Sequence, residues 1–386
     1  MKRGGLFGQG ALAAAVAAAL WAVPARGEVH DREIWDLQAV DAQGYATDTD
    51  VAVMGQHFTM DQVHFIGVVL NAPGDMMDPN HVGPDGKPHG AWQTYVQAVD
   101  EANQPKLGGI ALFAAAAYYE DTGYAWPRYP TDFQHGDLVE VTGYCAFYNG
   151  KSNLNERHDP YYEFTVTHVT DGGGNVNIGP VVPWEIPSVA DCNTFDATRA
   201  TGGEKVQGQW VRLEGLTIAD PENWALGGNV LVTDNGTDLV ALRLGHSDDW
   251  FGGHCGDFDQ FDPPAGRFSI SCLFDQEDET APYTDSYRLW PTAFHQIEIW
   301  GDADRDDDVD AVDLATLGLN WSPVATGKAW ADGDFDGDGD VDAVDLAALG
   351  LNWHPAGGGT APLPEPATLA LVGAGLVMAA WRRRAA

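Results

Sequence analysis

Short runs of alternating apolar and polar residues fill most of the chain from residue 28 to about residue 300. Asp137-Leu138-Val139-Glu140-Val141-Thr142-Gly143 and Gln209-Trp210-Val211-Arg212-Leu213-Glu214-Gly215 are examples. A period of two puts the apolar side chains on one face, so these runs predict β-strands over a core. Turn signals separate them, among them Asn149-Gly150, Asp171-Gly172-Gly173-Gly174, Gly227-Gly228-Asn229 and Asn235-Gly236. No long amphipathic helix competes. The Ala-rich stretch from Ala111 to Ala117 is open to either reading, helix or strand. A weak duplication is visible. One unit runs from Val63-His64-Phe65-Ile66-Gly67-Val68-Val69 through Gly136-Asp137-Leu138 to Glu163-Phe164-Thr165-Val166. A second runs from Trp210-Val211-Arg212-Leu213-Glu214-Gly215 through Gly266-Arg267-Phe268-Ser269-Ile270 to Tyr287-Arg288-Leu289-Trp290-Pro291.

Beyond residue 300 the period changes. GDADRDDDVDAVDLATLGLNW from Gly301 is repeated almost word for word as GDFDGDGDVDAVDLAALGLNW from Gly333. Each copy is one structural unit. Asp302, Asp304, Asp306, Asp308, Asp310 and Asp313 occupy loop positions 1, 3, 5, 7, 9 and 12 of a calcium loop, and Asp334, Asp336, Asp338, Asp340, Asp342 and Asp345 repeat them. Calcium takes six to eight hard oxygens, which alternating short carboxylates can supply around one ion; position 7 gives its backbone carbonyl and position 9 often acts through water. Two ions are expected. Without them, close carboxylates repel by about 1 kcal/mol per pair even at water's dielectric. Val309 and Val341 are expected to pair the loops through their side chains, and a short helix with an apolar face follows each loop.

The two ends carry targeting patterns. Lys2 and Arg3, the apolar run Ala11 to Val23, and small residues around Ala25 to Gly27 read as a secretion signal. At the other end Pro364-Glu365-Pro366 precedes an apolar run to Trp381 and then Arg382-Arg383-Arg384. As helix, Thr368 to Trp381 reaches roughly 21 Å, short of a hydrocarbon core of about 30 Å. The arginines would hold its end in the cytoplasm.

Composition narrows the function classes. The 386 residues suffice for two or three cored domains. A formal charge of -37 attracts cations and repels phosphate backbones, which disfavours nucleic acid as a partner. Outside the cytoplasm, Cys145, Cys192, Cys255 and Cys272 are expected to form one or two disulfides, with three connectivities open. Glu156, His158 and Asp159, and likewise His246, Asp248 and Asp249, are charge clusters that admit acid–base work on a glycoside or simply solvated turns. Tyr118, Tyr119, Tyr124, Trp126 and Tyr129 suit either sugar stacking or core anchoring. No phosphate loop, serine elbow or zinc motif is present.

Three resemblances follow. The tail resembles a PEP-CTERM sorting signal, which implies transient anchoring in the inner membrane, processing by a transpeptidase-like sorting enzyme, and delivery to the cell surface. Gly301 to Trp353 resembles a type I dockerin, which implies a calcium-dependent docking module with a cohesin-like partner. It departs from that pattern at Asp307, where glycine is usual, and at Ala311-Val312, Ala343-Val344, Gly318-Leu319 and Gly350-Leu351, where recognition residues usually stand. The body, through FYNGKSNLNERH from Phe147 and DSYRLWP from Asp285, resembles OB-fold-like domains of secreted bacterial proteins, which can bind oligosaccharides through their middle strands.

The resulting expectation is mainly β. A signal peptide (1–27) precedes two OB-like β-barrels (28–175 and 176–300), a small α-helical dockerin-like module (301–354) and a sorting signal with membrane anchor (355–386). The expected function is non-catalytic binding or scaffolding at the cell surface. Alternatives are a polysaccharide-degrading enzyme or its accessory subunit, and an accessory module of a secreted nuclease.

Overall fold

The computed structural model describes residues 27–59, 61–116, 126–155, 164–248, 253–324 and 326–354. The secretion signal, the sorting tail, Tyr118, Tyr119, Tyr124, Glu156, His158, Asp159 and Asp249 lie outside the described residues. The chain is mainly β, as its alternation predicts.

The N-terminal strands are β1 (Val29–Asp31), β2 (Val51–Ala52), β3 (Gln62–Val69), β4 (Ala91–Val99), β5 (Pro105–Ala115), β6 (Leu138–Gly143), β7 (Cys145–Tyr148), β8 (Lys151–Asn155) and β9 (Phe164–His168). They pair in the order β2-β7-β8-β5-β4-β3-β6-β9, with β1 parallel to β3. Inward residues such as Trp92, Val96, Ile110, Leu112, Val139, Val141 and Leu154 form one core. The ambiguous alanines are strand: Ala111 to Ala115 pair with Tyr95 to Ala91. Asn149-Gly150 makes the expected two-residue turn between β7 and β8, with both residues at positive φ. The pairing path runs from β2 to β9, and the expected first barrel is not a clear ring of whole strands. Tyr144 divides the run 138–148 into β6, which bonds β3, and β7, which bonds β8, so the ring β3-β4-β5-β8 is completed by two half-strands.

The second unit does close. It contains β10 (Trp184–Glu185), β11 (Trp210–Ile218), β12 (Asn229–Thr233), β13 (Val240–Arg243), the hairpin β14 (His246–Asp248) and β15 (Gly253–Cys255), β16 (Phe268–Gln276), β17 (Tyr287–Trp290) and β18 (Ile297–Ile299). The circuit β11-β12-β13-β17-β16 returns from β16 to β11, with β13 and β17 parallel, while β10 and β18 extend the sheet. This is a small five-stranded barrel filled by Val211, Leu213, Val230, Val232, Leu242, Phe268, Ile270, Phe274 and Leu289.

The outer face of the first sheet is not free. Ala91, Tyr95, Ala111 and Ala115 pack with Trp210, Leu273 and Trp290 of the second unit in a buried seam. Alanine leaves room for that approach, so the middle-strand face expected to bind ligand in the first unit is an internal contact. A charge network crosses the same seam. Lys151 Nζ donates to both oxygens of Asp275 at 2.7 Å and to Glu277 at 3.0 Å. Arg288 Nη2 donates to Asp275 at 2.7 Å and to Glu277 at 3.2 Å. Burial pushes the Asp275 carboxyl up, but Lys151 and Arg288 outweigh it and hold it below its ordinary value.

The expected disulfides are not formed: no S–S bond joins Cys145, Cys192, Cys255 and Cys272, and all four are buried. Cys145 sits in the first core, whereas Cys192 and Cys272 sit in the second, so each serves as a small apolar filler. Burial raises the thiols, Cys192 to about 12 and Cys255 to about 11, which leaves them unreactive.

Replacing Asp275 by alanine leaves two cations facing Glu277 alone. The expected loss is about 3–5 kcal/mol, read as a lower midpoint in urea unfolding. An unchanged midpoint would show that the seam does not depend on this pairing.

Candidate metal centre

Aspartate every second residue, with an aspartate three residues past the ninth position, shapes both acidic loops in the same way. In the first loop, Asp302 Oδ1 accepts from Arg305 N at 2.6 Å and its Oδ2 from Asp307 N at 3.1 Å. In the second, Asp334 accepts from Gly337 N at 2.9 Å and from Gly339 N at 3.0 Å. The twelfth position closes each loop on itself. Asp313 accepts from Ala303 N and Asp310 N, and Asp345 accepts from Phe335 N and Asp342 N. The same residues start the helices α5 (Ala311–Asn320) and α6 (Ala343–Leu351), which follow four short helical turns, α1 (Ile34–Leu37), α2 (Pro73–Met76), α3 (Val189–Cys192) and α4 (Gly203–Val206). Asp310 and Asp342 are N-caps, each accepting from the amide two residues on, at 2.6 and 2.7 Å. One aspartate pair therefore satisfies a helix start and closes an acidic loop together.

Convergence of the carboxylates is marked. Asp302, Asp304 and Asp306 place ligand oxygens within 4.8 Å of one another, as do Asp308, Asp310 and Asp313. In the second loop Asp345 joins two such groups, one with Asp334 and Asp336 and one with Asp340 and Asp342. Asp338 lies outside these groups and accepts from Asp340 N at 2.9 Å. Burial pushes Asp302 up to about 7, with neighbouring Asp313 adding to the rise against the amide bonds that lower it. Asp313, Asp334 and Asp345 are raised by burial as well. Such crowded, partly buried carboxylates suit a hard divalent cation taking several oxygens.

Val309 and Val341 are fully buried in one cluster, where the expected side-chain contact between the loops would lie; their backbones bridge elsewhere, Val309 to His354 and Val341 to Ser322. Ser322 and His354 are equivalent positions after α5 and α6, so each loop pairs with the end of the other repeat. The sixth position matters too. Gly339 has φ +90°, and Asp307 adopts the same left-handed region at φ +70°. Arg305, at the fourth position, has φ +60° where the second loop has Gly337. Two side chains in this region strain the first loop.

A third group of possible ligands, His30, Asp50 and Asp61, was not legible in the sequence because it is assembled from β1 and the residues just before β2 and β3. His30 Nδ1 lies 3.0 Å from Asp50, which Arg32 also binds, so its charge is already paired. Of the other candidates, His246 is buried in β14, and Trp126 and Tyr129 anchor the first core, Tyr129 stacked on Phe164 at 4.4 Å. Tyr129 thus serves core anchoring, and Trp126 is half-buried against the same core. A groove of about 440 Å³ is lined by Met54, Gln56, His57, Phe58, Phe147 and Asn155, with Met54 and Phe58 exposed.

Asp307→Gly should raise the thermal midpoint by the equivalent of about 1 kcal/mol, since glycine enters the left-handed region without strain. Asp307→Ala, which keeps the strain, should give no rise; equal gains from both would remove backbone conformation as the cause.

Comparison with known proteins places only the tail. Residues 362–384 match the PEP-CTERM protein-sorting motif. No curated protein and no solved structure matches the chain. The sorting motif indicates an exported protein, delivered to the cell surface and processed by an exosortase-type C-terminal sorting enzyme.

Proposed function

We propose that this exported protein is a non-catalytic binding or scaffolding component of the cell surface, with residues 301–354 forming a dockerin-like module that holds two calcium ions. The observation that carries the reading is the doubled loop: aspartates at the first and third positions converge in both copies, the seventh, ninth and twelfth form a group in both, and the ninth and twelfth also start a helix each time. Calcium would neutralise the crowded carboxylates and so order α5 and α6. Ligands would come from Asp302, Asp304, Asp306, Asp308, Asp310 and Asp313, and from Asp334, Asp336, Asp338, Asp340, Asp342 and Asp345. The helices then offer a doubled apolar stripe, with Val312 and Leu319 on α5 and Val344 and Leu351 on α6 all exposed. A cohesin-like surface protein is the proposed partner.

The β units fit the role of a spaced binding body. The circuit β11-β12-β13-β17-β16 has the strand order of an OB fold. The order β3-β4-β5-β8 supports the same reading for residues 28–175, if β6 and β7 count as one strand across Tyr144. The groove beside Phe58 favours a second reading, in which the chain is an accessory subunit that binds polysaccharide. The acidic balance leaves a nuclease accessory role least supported.

The test is capture of a surface partner by the intact chain, in calcium and in chelator. Capture should need calcium, and should be lost both in an Asp313→Ala/Asp345→Ala variant and in a Leu319→Asp/Leu351→Asp variant that keeps its calcium. Capture indifferent to calcium and to both variants would sink the docking reading.

A further inference from the structure

The two repeats are not used alike by the rest of the chain. Asn320 and Asn352 occupy the same place in the duplicated GLNW segment. Asn320 bonds within its own module, donating to Thr316 O at 3.1 Å and accepting from Lys328 Nζ at 2.9 Å. Asn352 bonds to the second barrel instead, and is only 3% exposed. Its Oδ1 accepts from Gly266 N at 2.5 Å, and its Nδ2 donates to Arg267 O at 2.9 Å and to Trp300 O at 2.7 Å. Gly266 and Arg267 lead into β16, and Trp300 follows β18. These two strands pair with each other, Phe268 opposite Ile299. One amide side chain therefore satisfies backbone groups where the β16–β18 ladder runs out, which an aspartate could not do against two carbonyl oxygens.

Packing and connectivity point the same way. Val309, Leu317, Val341 and Leu349 are fully buried in one cluster with Phe268, Ile270, Ile297 and Ile299 of the barrel. The first acidic loop begins directly beyond β18, where Asp302 N donates to Ile299 O at 3.1 Å. Gly301 has φ +116°, and a side chain there would lie 2.7 Å from the Leu349 backbone. Trp330 Nε1, from between the repeats, donates to Asp302 O at 2.5 Å. A module that loosens when its carboxylates repel one another would uncover this end of the barrel and free the ladder groups that Asn352 holds.

We propose that calcium loading of the acidic repeats sets the stability of the second β-barrel through Asn352 and the shared core, so that residues 301–354 clamp the barrel. This rests on the calcium reading of the repeats. Calcium depletion then reaches beyond the docking stripe and opens the barrel itself, which couples the protein's binding body to the calcium level outside the cell.

The experiment is hydrogen exchange read by mass spectrometry on the full chain in detergent, in calcium and in chelator, with calcium binding measured by calorimetry on the same samples. Calcium should slow exchange of the barrel peptides covering 210–243 at least tenfold, while β3 to β5 change little. Asn352→Ala should still bind calcium but lose most of that slowing, and Asn320→Ala should keep it. If calcium binds to the parent chain and exchange over 210–243 does not change, the clamp is wrong while the calcium reading stands. That comparison needs no variant, so a poorly folding Asn352→Ala does not blunt the test. If no calcium binds, the reading beneath the proposal fails and the proposal with it.

Discussion

Carboxylate crowding is the constraint on which the C-terminal part of this structure turns. Each acidic loop brings aspartate oxygens to within 4.8 Å of one another, and the first aspartate of the first loop, Asp302, is buried. Unscreened, such groups repel, and they do so most strongly where water is excluded. The loop backbones answer part of this by aiming amide N–H groups at Asp302, Asp313, Asp334 and Asp345. A hard cation would answer the rest. Helices α5 and α6 start from the same aspartates, so the electrostatic problem and the helical structure have a common solution.

Duplication recurs in this chain, and each time the copies diverge where they meet a neighbour. The acidic repeats share their loop geometry, but only the second spends its GLNW asparagine on the barrel. The β units follow related strand orders, yet the first turns its outer face inward. There Lys151 meets Asp275 and Arg288, and a side chain on Gly150 would meet Gln276. Balanced charge and small residues let the two sheets approach. That seam makes the body one continuous unit, with the acidic repeats packed against its far end.

What could be read from the sequence was local. Ligand spacing in the acidic loops spans a dozen residues and repeats, so the converging aspartates were legible. Strand alternation was legible for the same reason, as was the Asn149-Gly150 turn, whose backbone demands are met within two residues. The division of 138–148 at Tyr144 depends on which strand each half meets. The alanines of β5 carry no period of their own; their purpose appears only against Trp210 and Trp290. The disulfide expectation rested on a compartment argument, which says nothing about where thiols lie; Cys145 fills a different core from Cys192 and Cys272. The Val309–His354 and Val341–Ser322 bridges likewise reflect how the repeats fold over each other.

Titrating the metal-free full chain with calcium in a calorimeter tests whether the doubled acidic register binds calcium. Two ions per chain are expected, falling to one when Asp345 alone is replaced by alanine, with a gain of helical circular dichroism as the sites fill. No saturable binding, or binding that leaves the helical signal unchanged and survives loss of both Asp313 and Asp345, would contradict the calcium reading.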